Sequence, residues 1–406
     1  MGPIAARWAE AMCARGHHVE VVTAHPHYPG PLWGRRVGPY RETRNGIPVL
    51  RLPLVIGHGA TRATITEEAI GPPLVIGRRT TPARITEEAT YAASAAVAAA
   101  FPSAPDAAVA VSPSLLGLFP VLVSARLRRF PWILWLEDIL PDAAATTGLM
   151  REGFALRTAQ HFERLVYRSA DRIVVISNAF RENLLAKGVP PWKVMHVYNP
   201  YTRGLGERPA RNDGAGPARI LYMGNMGFSQ NLPELVRAFE RSPDLGDDVR
   251  LILAGTGELA RAVAAEIRSD RVEMPGLLLK RLEREVERAT IGLVPQRPDV
   301  DEFNLPSKLM NLMAHGVPVL ASVNPRSEVA RIVRESGAGW VVDAADPEGF
   351  PRALREILAD QAELDRRGVA GLEFARRNFS PEVVATRFED LLYEVTPDGL
   401  PRRTGR

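Results

Sequence analysis

Apolar positions in this chain follow two alternating rhythms, short unbroken runs and stretches in which they return every third or fourth residue. Runs at 19–23, 47–52, 109–112, 132–136, 172–176, 194–197, 220–224, 249–253, 272–277, 291–295 and 319–323 read as strands. Between them, helical spacing covers 4–15, 115–129, 154–169, 179–187, 233–241, 279–288 and the segment after Glu328. The first helix places Ile4, Trp8, Ala11 and Met12 on one face and stops at Gly16. Strands that alternate with helices over the whole chain predict an α/β protein built on parallel sheets.

One stretch, NLPSKLMNLMAHGVPVLASV at 304–323, shows the grammar most plainly. Leu305 and Pro306 lead into a helix whose first turn holds Ser307 and Lys308, and Leu309, Leu312 and Met313 mark its buried face. Gly316 and Pro318 end it before a buried strand. A helix start that carries a hydroxyl and an ammonium suits a phosphate, because its unpaired N–H groups and dipole already favour an anion. The alternative is Ser307 as a helix cap and Lys308 as a solvated surface charge. Lys308 stands out, being one of four lysines among 51 basic residues.

At 406 residues the chain calls for two domains. We expect a first domain at 1–203, a Gly-, Pro- and charge-rich linker at 204–217, a second domain at 218–380, and a last helix at 381–395 that crosses back to the first. The opening helix has no strand before it, so the first sheet is expected to lack its N-terminal central strand, with Gly2 and Pro3 as the end of a glycine loop. PLVIGHGATRATITEEA recurs as PLVIGRRTTPARITEEA after twenty residues. Two copies within 53–92 are too few for a solenoid and read as a duplication inserted in a surface loop.

A net charge of +4 and pI near 9.4 suit anionic partners such as nucleotides or acidic headgroups. No nucleic-acid-binding signature accompanies that charge. The single Cys13 excludes intramolecular disulfides and cysteine metal clusters. Neither a membrane-spanning run nor a signal peptide is evident, and the reading is cytoplasmic.

Several loops carry candidate chemistry. HPHYPG offers His25 and His27 after the second strand, either near substrate or simply solvated. WLEDILPD places Asp138 at the carboxyl end of a parallel strand, where ligands bind, although it could equally cap the next turn. Arg126, Arg128 and Arg129 could rest on anionic lipid or merely complement a helix end. The turn Gly224-Asn225-Met226-Gly227 follows a strand and would let a backbone approach a diphosphate.

The 304–323 segment resembles the donor-side signature of retaining nucleotide-sugar glycosyltransferases of GT-B family four, the group 1 glycosyltransferases. Its Pro-Ser-Lys before Ala-x-Gly-x-Pro-Val is most like the branch with amino-sugar transferases of O-antigen and capsule assembly. The resemblance implies a GT-B fold of two Rossmann-like doubly wound domains facing across a cleft. It implies transfer of a hexosyl or N-acetylaminosugar group, with retention, from a nucleotide-diphospho-sugar to a lipid-linked saccharide in cell-surface polysaccharide synthesis. The co-substrate would be UDP-linked, with no cofactor or metal, and the enzyme would work on the inner face of the cytoplasmic membrane.

The same resemblance implies site residues. Donor binding falls to Gly224, Asn225, Gly227, Gly255, Gly257, Pro275, Gly276, Leu277, Glu302, Leu305, Pro306, Ser307, Lys308 and Asn311. Gly2, His25, His27 and Asp138 would lie on the acceptor side, with Asp138 and Lys308 catalytic. Two departures matter. The family's usual Arg and Lys after the first glycine are here Asn225 and Gln230, which leaves the diphosphate charge to Lys308. The family's Glu-x7-Glu pair maps onto Phe303 and Asn311, with Glu302 one residue away. Two rival readings remain: a GT-B sugar-nucleotide 2-epimerase, and a sugar-nucleotide-binding remnant without turnover.

Overall fold

The structure of the protein, a computed structural model, describes residues 2–24, 39–52, 104–112, 116–137, 139, 154–202, 216–276, 279–299 and 305–396. The 53–92 repeat, His25, His27, Asp138, Leu277, Glu302 and most of 204–217 lie outside these residues. The described chain resolves into two compact units, one drawn from residues up to Pro200 plus those from Pro381 onward, the other running from Tyr201 to Ser380.

In the first unit, β1 (Val21–Ala24), β2 (Tyr40–Arg44) and β3 (Ile47–Leu52) form a sheet in the order β1-β3-β2. A second sheet holds β4 (Ala108–Val111), β5 (Trp132–Leu136), β6 (Arg172–Val175) and β7 (Val194–His196), in that order and all parallel. The sequence reading expects one sheet here. Among the described residues there are two, and β1 and β4 are each paired on one side only. β2 is missing from the sequence reading because YRETR has no apolar pattern. Its signal is instead Asn45-Gly46, whose φ values of 48° and 80° make the tight turn of a β2–β3 hairpin.

The last helix, Pro381–Val395, packs in this unit against the first, Pro3–Ala14. Phe388 inserts between two tryptophans, its ring centroid 5.3 Å from Trp8 and 4.7 Å from Trp135. β5 supplies Trp135 because all five of its residues are buried, as an uninterrupted apolar run between covered faces requires.

The second unit is a single parallel sheet. It is built from β8 (Ala218–Asn225), β9 (Val249–Thr256), β10 (Val272–Glu273), β11 (Ile291–Pro295), β12 (Val319–Val323) and β13 (Gly339–Asp343). The order is β10-β9-β8-β11-β12-β13, so the chain starts in the centre, steps outward to one side, and returns to build the other. The connections reverse direction between β8 and β11, and a ligand crevice opens at such a point, outside the carboxyl ends of the strands. Ile220, Tyr222, Leu251, Leu253, Leu293 and Leu320 fill the sheet's core with Phe239 and Phe350 from the helices. The strand expected over 272–277 ends at Glu273. Pro275 has no N–H for a ladder, and Gly276 turns the chain with a φ of 74°.

Candidate functional site

β8 delivers the site to the switch point. Its burial runs unbroken from Ile220 to Met223 and then opens at Gly224 and Asn225. Gly224 has a φ of 110°, a conformation L side chains rarely adopt, and a Cβ there would point at Lys308 Cε, 3.9 Å away. The neighbouring strand end makes a different demand. A Cβ on Gly255 would lie 2.1 Å from the Gly224 carbonyl oxygen, so β9 can approach β8 this closely only with glycine at 255. Met226 N–H then donates to Thr256 (2.8 Å) and Leu259 N–H to Met226 (2.9 Å), locking the Gly224–Gly227 turn to the turn that contains Gly257.

A short 3-10 helix, Phe228–Gln230, follows Gly227 and leads into the helix Leu232–Glu240. It swings Gln230 inward, where its side chain is buried. Arg297, just past β11, donates its N–H to Ser229 at 2.9 Å, so the two strand ends that flank the switch point are tied together.

Across from this turn, the helix Ser307–Ala314 starts after the extended residue Pro306. Pro306 is the cap residue and no side chain caps the helix, so Ser307 is not the cap that one sequence reading allows. Ser307 is exposed and Leu305 is buried; Leu309 N–H donates to the Pro306 carbonyl at 3.0 Å, and among the described residues no side chain caps the N–H groups before it.

Lys308 is buried, which removes its reading as a solvated surface charge. Its Nζ donates to Gln230 Oε1 and lies 4.1 Å from the centroid of the Tyr222 ring. Among the described residues it has no carboxylate partner. Burial without a counter-charge pushes the ammonium down to about 7. The Tyr222 phenol, raised by its own burial, donates to the carbonyl of Asn225 and reaches Gln230 Oε1 at 3.5 Å. Tyr222 and Gln230 thus couple the glycine turn to Lys308. The sequence reading named Gln230 only as an absent cation and did not name Tyr222. The available signal was the two-residue spacing of Tyr222 and Gly224 on a strand, which puts both on one side of it.

Asn311, placed on the donor side by the resemblance, lies one turn beyond Lys308. Its Oδ1 accepts from the N–H of Thr202 at 3.2 Å, and its Nδ2 donates to Thr202 Oγ1 at 3.4 Å. It is buried, and it anchors the start of the second unit. Pro275 and Gly276 sit at the carboxyl end of β10, at the margin of the sheet, with open space beside Gly276. Gly2 is exposed and precedes the first helix, accepting from Ala6 N–H at 3.0 Å. The structure therefore brings together Gly224, Asn225, Gly227, Gly255, Gly257 and Lys308, with Asn311 bonded to Thr202 one helical turn from Lys308.

Comparison with known proteins matches each half of the chain to a family model. Residues 1–200 match the glycosyl transferase 4-like domain, and residues 217–360 match the glycosyl transferases group 1 model. Among curated relatives, the glycosyltransferase WbjE of Pseudomonas aeruginosa is 25% identical over 68% of this chain and 70% of its own. WcaI of Escherichia coli K12, named as a colanic acid biosynthesis glycosyl transferase, is 24% identical over 96% of this chain and 95% of its own. Of solved structures, sucrose-phosphate synthase from Thermosynechococcus elongatus superposes with a TM-score of 0.68 at 18% identity, covering 96% of this chain and 91% of that one. HepE of Anabaena, in complex with UDP and glucose, superposes with a TM-score of 0.60 at 14% identity, covering 93% and 99%. With both halves matched and the two-unit α/β architecture shared, the chain belongs to the group 1 glycosyltransferases of GT-B fold.

Proposed function

We propose that the protein transfers a sugar, with retention, from a UDP-linked donor to a lipid-linked saccharide during cell-surface polysaccharide synthesis, on the cytoplasmic side of the membrane. The observation that carries the reading is the buried Lys308 ammonium, facing a glycine turn at the switch point, whose partners among the described residues are an amide and an aromatic ring. A buried cation without a counter-charge is costly in a resting protein and favourable beside a dianion. A leaving UDP develops negative charge on its diphosphate. Stabilising it needs fixed positive groups and dipoles rather than a nucleophile. Lys308, the first-turn N–H groups of Ser307–Ala314 and the backbone at Gly227 supply them. Pro275 and Gly276 would receive the base. The relatives' roles in polysaccharide synthesis and the UDP held by HepE support the donor class and the pathway. The acceptor-side roles of Gly2, His25, His27 and Asp138 are carried by the family resemblance.

The test is to incubate the full chain with UDP-sugars and measure UDP release with and without a lipid-diphosphate saccharide. Release that depends on acceptor, with the anomeric configuration of the donor kept in the product, is the expected result. An isomerised donor formed without acceptor would make the protein a 2-epimerase. UDP binding without either reaction would make it a binding protein.

A further inference from the structure

Phe228 stands in the open directly after the glycine turn of the second unit. It is 53% exposed, and among the described residues of that unit no other aromatic side chain is exposed. Phe239, Phe350 and Phe379 are fully buried, as apolar rings of this size ordinarily are. A phenyl ring left in water forgoes the free energy of its burial, and a polar residue would serve a solvent-facing position equally well.

The backbone that carries this ring is fixed at both ends. Its 3-10 helix, Phe228–Gln230, is closed by the Gln230 N–H, which donates to the Gly227 carbonyl at 3.1 Å. The Arg297 N–H on Ser229 fastens the same element to the end of β11. Met226 and Gln230 to either side are buried, and Gln230 Nε2 donates to Ser229 Oγ at 3.0 Å. A ring on such an element is presented in place before any ligand arrives, which lowers the ordering cost of binding.

Its position indicates what the ring meets. Gly227 precedes Phe228, and Gln230, two residues on, holds the Lys308 ammonium, so a group bonded to a diphosphate at this turn lies within reach. The base end of a nucleotide points the other way. Pro275 and Gly276 follow β10, two strands from β8, roughly 10 Å across the sheet at the usual strand spacing. Phe228 is tied instead to the opposite neighbour, β11, and the group left for that side is a sugar. The end of β11 also carries the exposed pair Arg297–Asp299, bidentate at 2.8 and 2.7 Å. A pyranose presents slightly positive C–H groups, which suit the negative face of an aromatic ring, and a rim of hydroxyls, which suit guanidinium and carboxylate groups. One ring among polar neighbours is too small an apolar surface for a protein partner.

We propose that Phe228 is a stacking platform for a pyranose, its face against the C–H face of the sugar while the Arg297–Asp299 pair takes the hydroxyls. The sugar is either the glycosyl group of the donor or the terminal residue of the acceptor saccharide, since transfer brings both beside the diphosphate. This proposal rests on the sugar-transfer reading and adds to it a residue that grips a sugar ring.

The test compares the full chain with its Phe228→Ala, Phe228→Leu and Phe228→Tyr variants. Calorimetry gives affinities for UDP, UDP-glucose and UDP-N-acetylglucosamine, and UDP release gives the KM of a lipid-diphosphate N-acetylglucosamine acceptor. Phe228→Ala and Phe228→Leu should leave the UDP affinity unchanged, which also shows that the variants are folded. Both should lose roughly tenfold toward a substrate that brings the sugar, and Phe228→Tyr should restore most of it. A loss confined to the UDP-sugars assigns the donor sugar to the ring, and a raised acceptor KM with unchanged donor affinity assigns the acceptor. An equal loss for UDP itself would put the base or the diphosphate on the ring and overturn the proposal. So would a Phe228→Ala variant with every constant as in the parent, or a Phe228→Leu variant as good as the parent, which would leave no role for an aromatic face. A parent that binds no UDP would overturn the sugar-transfer reading and this proposal with it, whereas parental UDP binding with no effect of Phe228→Ala overturns this proposal alone.

Discussion

Lys308 Nζ donates to Gln230 Oε1 from above the Tyr222 ring, joining the first turn of one helix to the loop after β8. The pair is neutral on one side and cationic on the other. Gln230 can therefore hold the ammonium in place without satisfying its charge. A carboxylate in the same position would do both, and would leave no electrostatic gain for an incoming diphosphate. Asn225 and Gln230 are thus compatible with a diphosphate site in which Lys308 alone supplies the cation.

Removal of that cation gives the first prediction. Lys308→Met should lose roughly 2–4 kcal/mol of transition-state stabilisation, read as kcat/KM with a UDP-sugar donor. Methionine is the informative substitution, because alanine would open a cavity under a Gln230 oxygen that has just lost its donor. Lys308→Arg should recover only part of the loss, since a planar fork does not fit a site shaped for an ammonium. Full activity in Lys308→Met would return Lys308 to a structural role.

The second prediction concerns protons. Burial holds Lys308 at about 7, below its usual 10.5, so between those pH values the unfolded chain binds more protons than the folded one. Stability should therefore rise with pH across that window, and by more in the parent than in Lys308→Met. A bound diphosphate stabilises the charged form and raises the Lys308 pKa again. UDP binding at pH 8 should take up close to one proton, and at pH 6 almost none. Calorimetry in buffers of different ionisation enthalpy measures this directly, and an uptake that persists in Lys308→Met would assign the proton elsewhere.

Gln230→Glu supplies the third. A carboxylate against Lys308 should raise the melting temperature near neutral pH, because it compensates a buried charge. The same change should weaken UDP binding by about tenfold or more, roughly 1.4 kcal/mol, since the donor phosphates now meet a like charge. Stability and affinity moving in the same direction would show that Gln230 does not face the phosphates.

Much of this was legible in the sequence, and the omissions have physical causes. The run 291–295, the helix after Pro306 and the glycine turn at 224–227 announce themselves through periodicity and backbone chemistry, which are local. The hairpin strand β2 carries no apolar alternation, and only its Asn45-Gly46 turn betrays it. Asn311 shows a deeper limit. Its position in a family pattern suggests a ligand contact, yet its amide is engaged by Thr202, 109 residues earlier in the chain. Lys308 likewise looks like any first-turn lysine until the fold buries it against Tyr222. Periodicity identifies elements, but the partner of a polar side chain is set by long-range packing.

The last prediction lies in the first unit, at Glu389. Its carboxylate accepts from Arg15 Nε at 2.9 Å and meets His17 Nε2 at 2.7 Å, fastening the final helix to the end of the first. Burial by itself would raise this carboxyl group. The hydrogen bonds from Arg15 and His17 outweigh that effect and hold it below its usual 4.5. A depressed carboxylate stabilises the fold fully above the unfolded value near 4.5, and that contribution disappears as pH falls through the folded value. Glu389→Gln should accordingly destabilise the first unit by about 1–3 kcal/mol at pH 7, the range for a charged hydrogen-bond partner lost from a half-buried site. Below the folded pKa of Glu389 the parent carboxyl is itself neutral, so the gap between parent and variant should narrow sharply. Urea unfolding followed by tryptophan fluorescence reports on this unit, because Trp8 and Trp135 both touch Phe388 on the same helix. A gap that stays the same size as the pH is lowered until the parent's Glu389 carboxyl is protonated would mean that Glu389 acts through packing alone, and that its ion pair adds nothing to the attachment of the last helix.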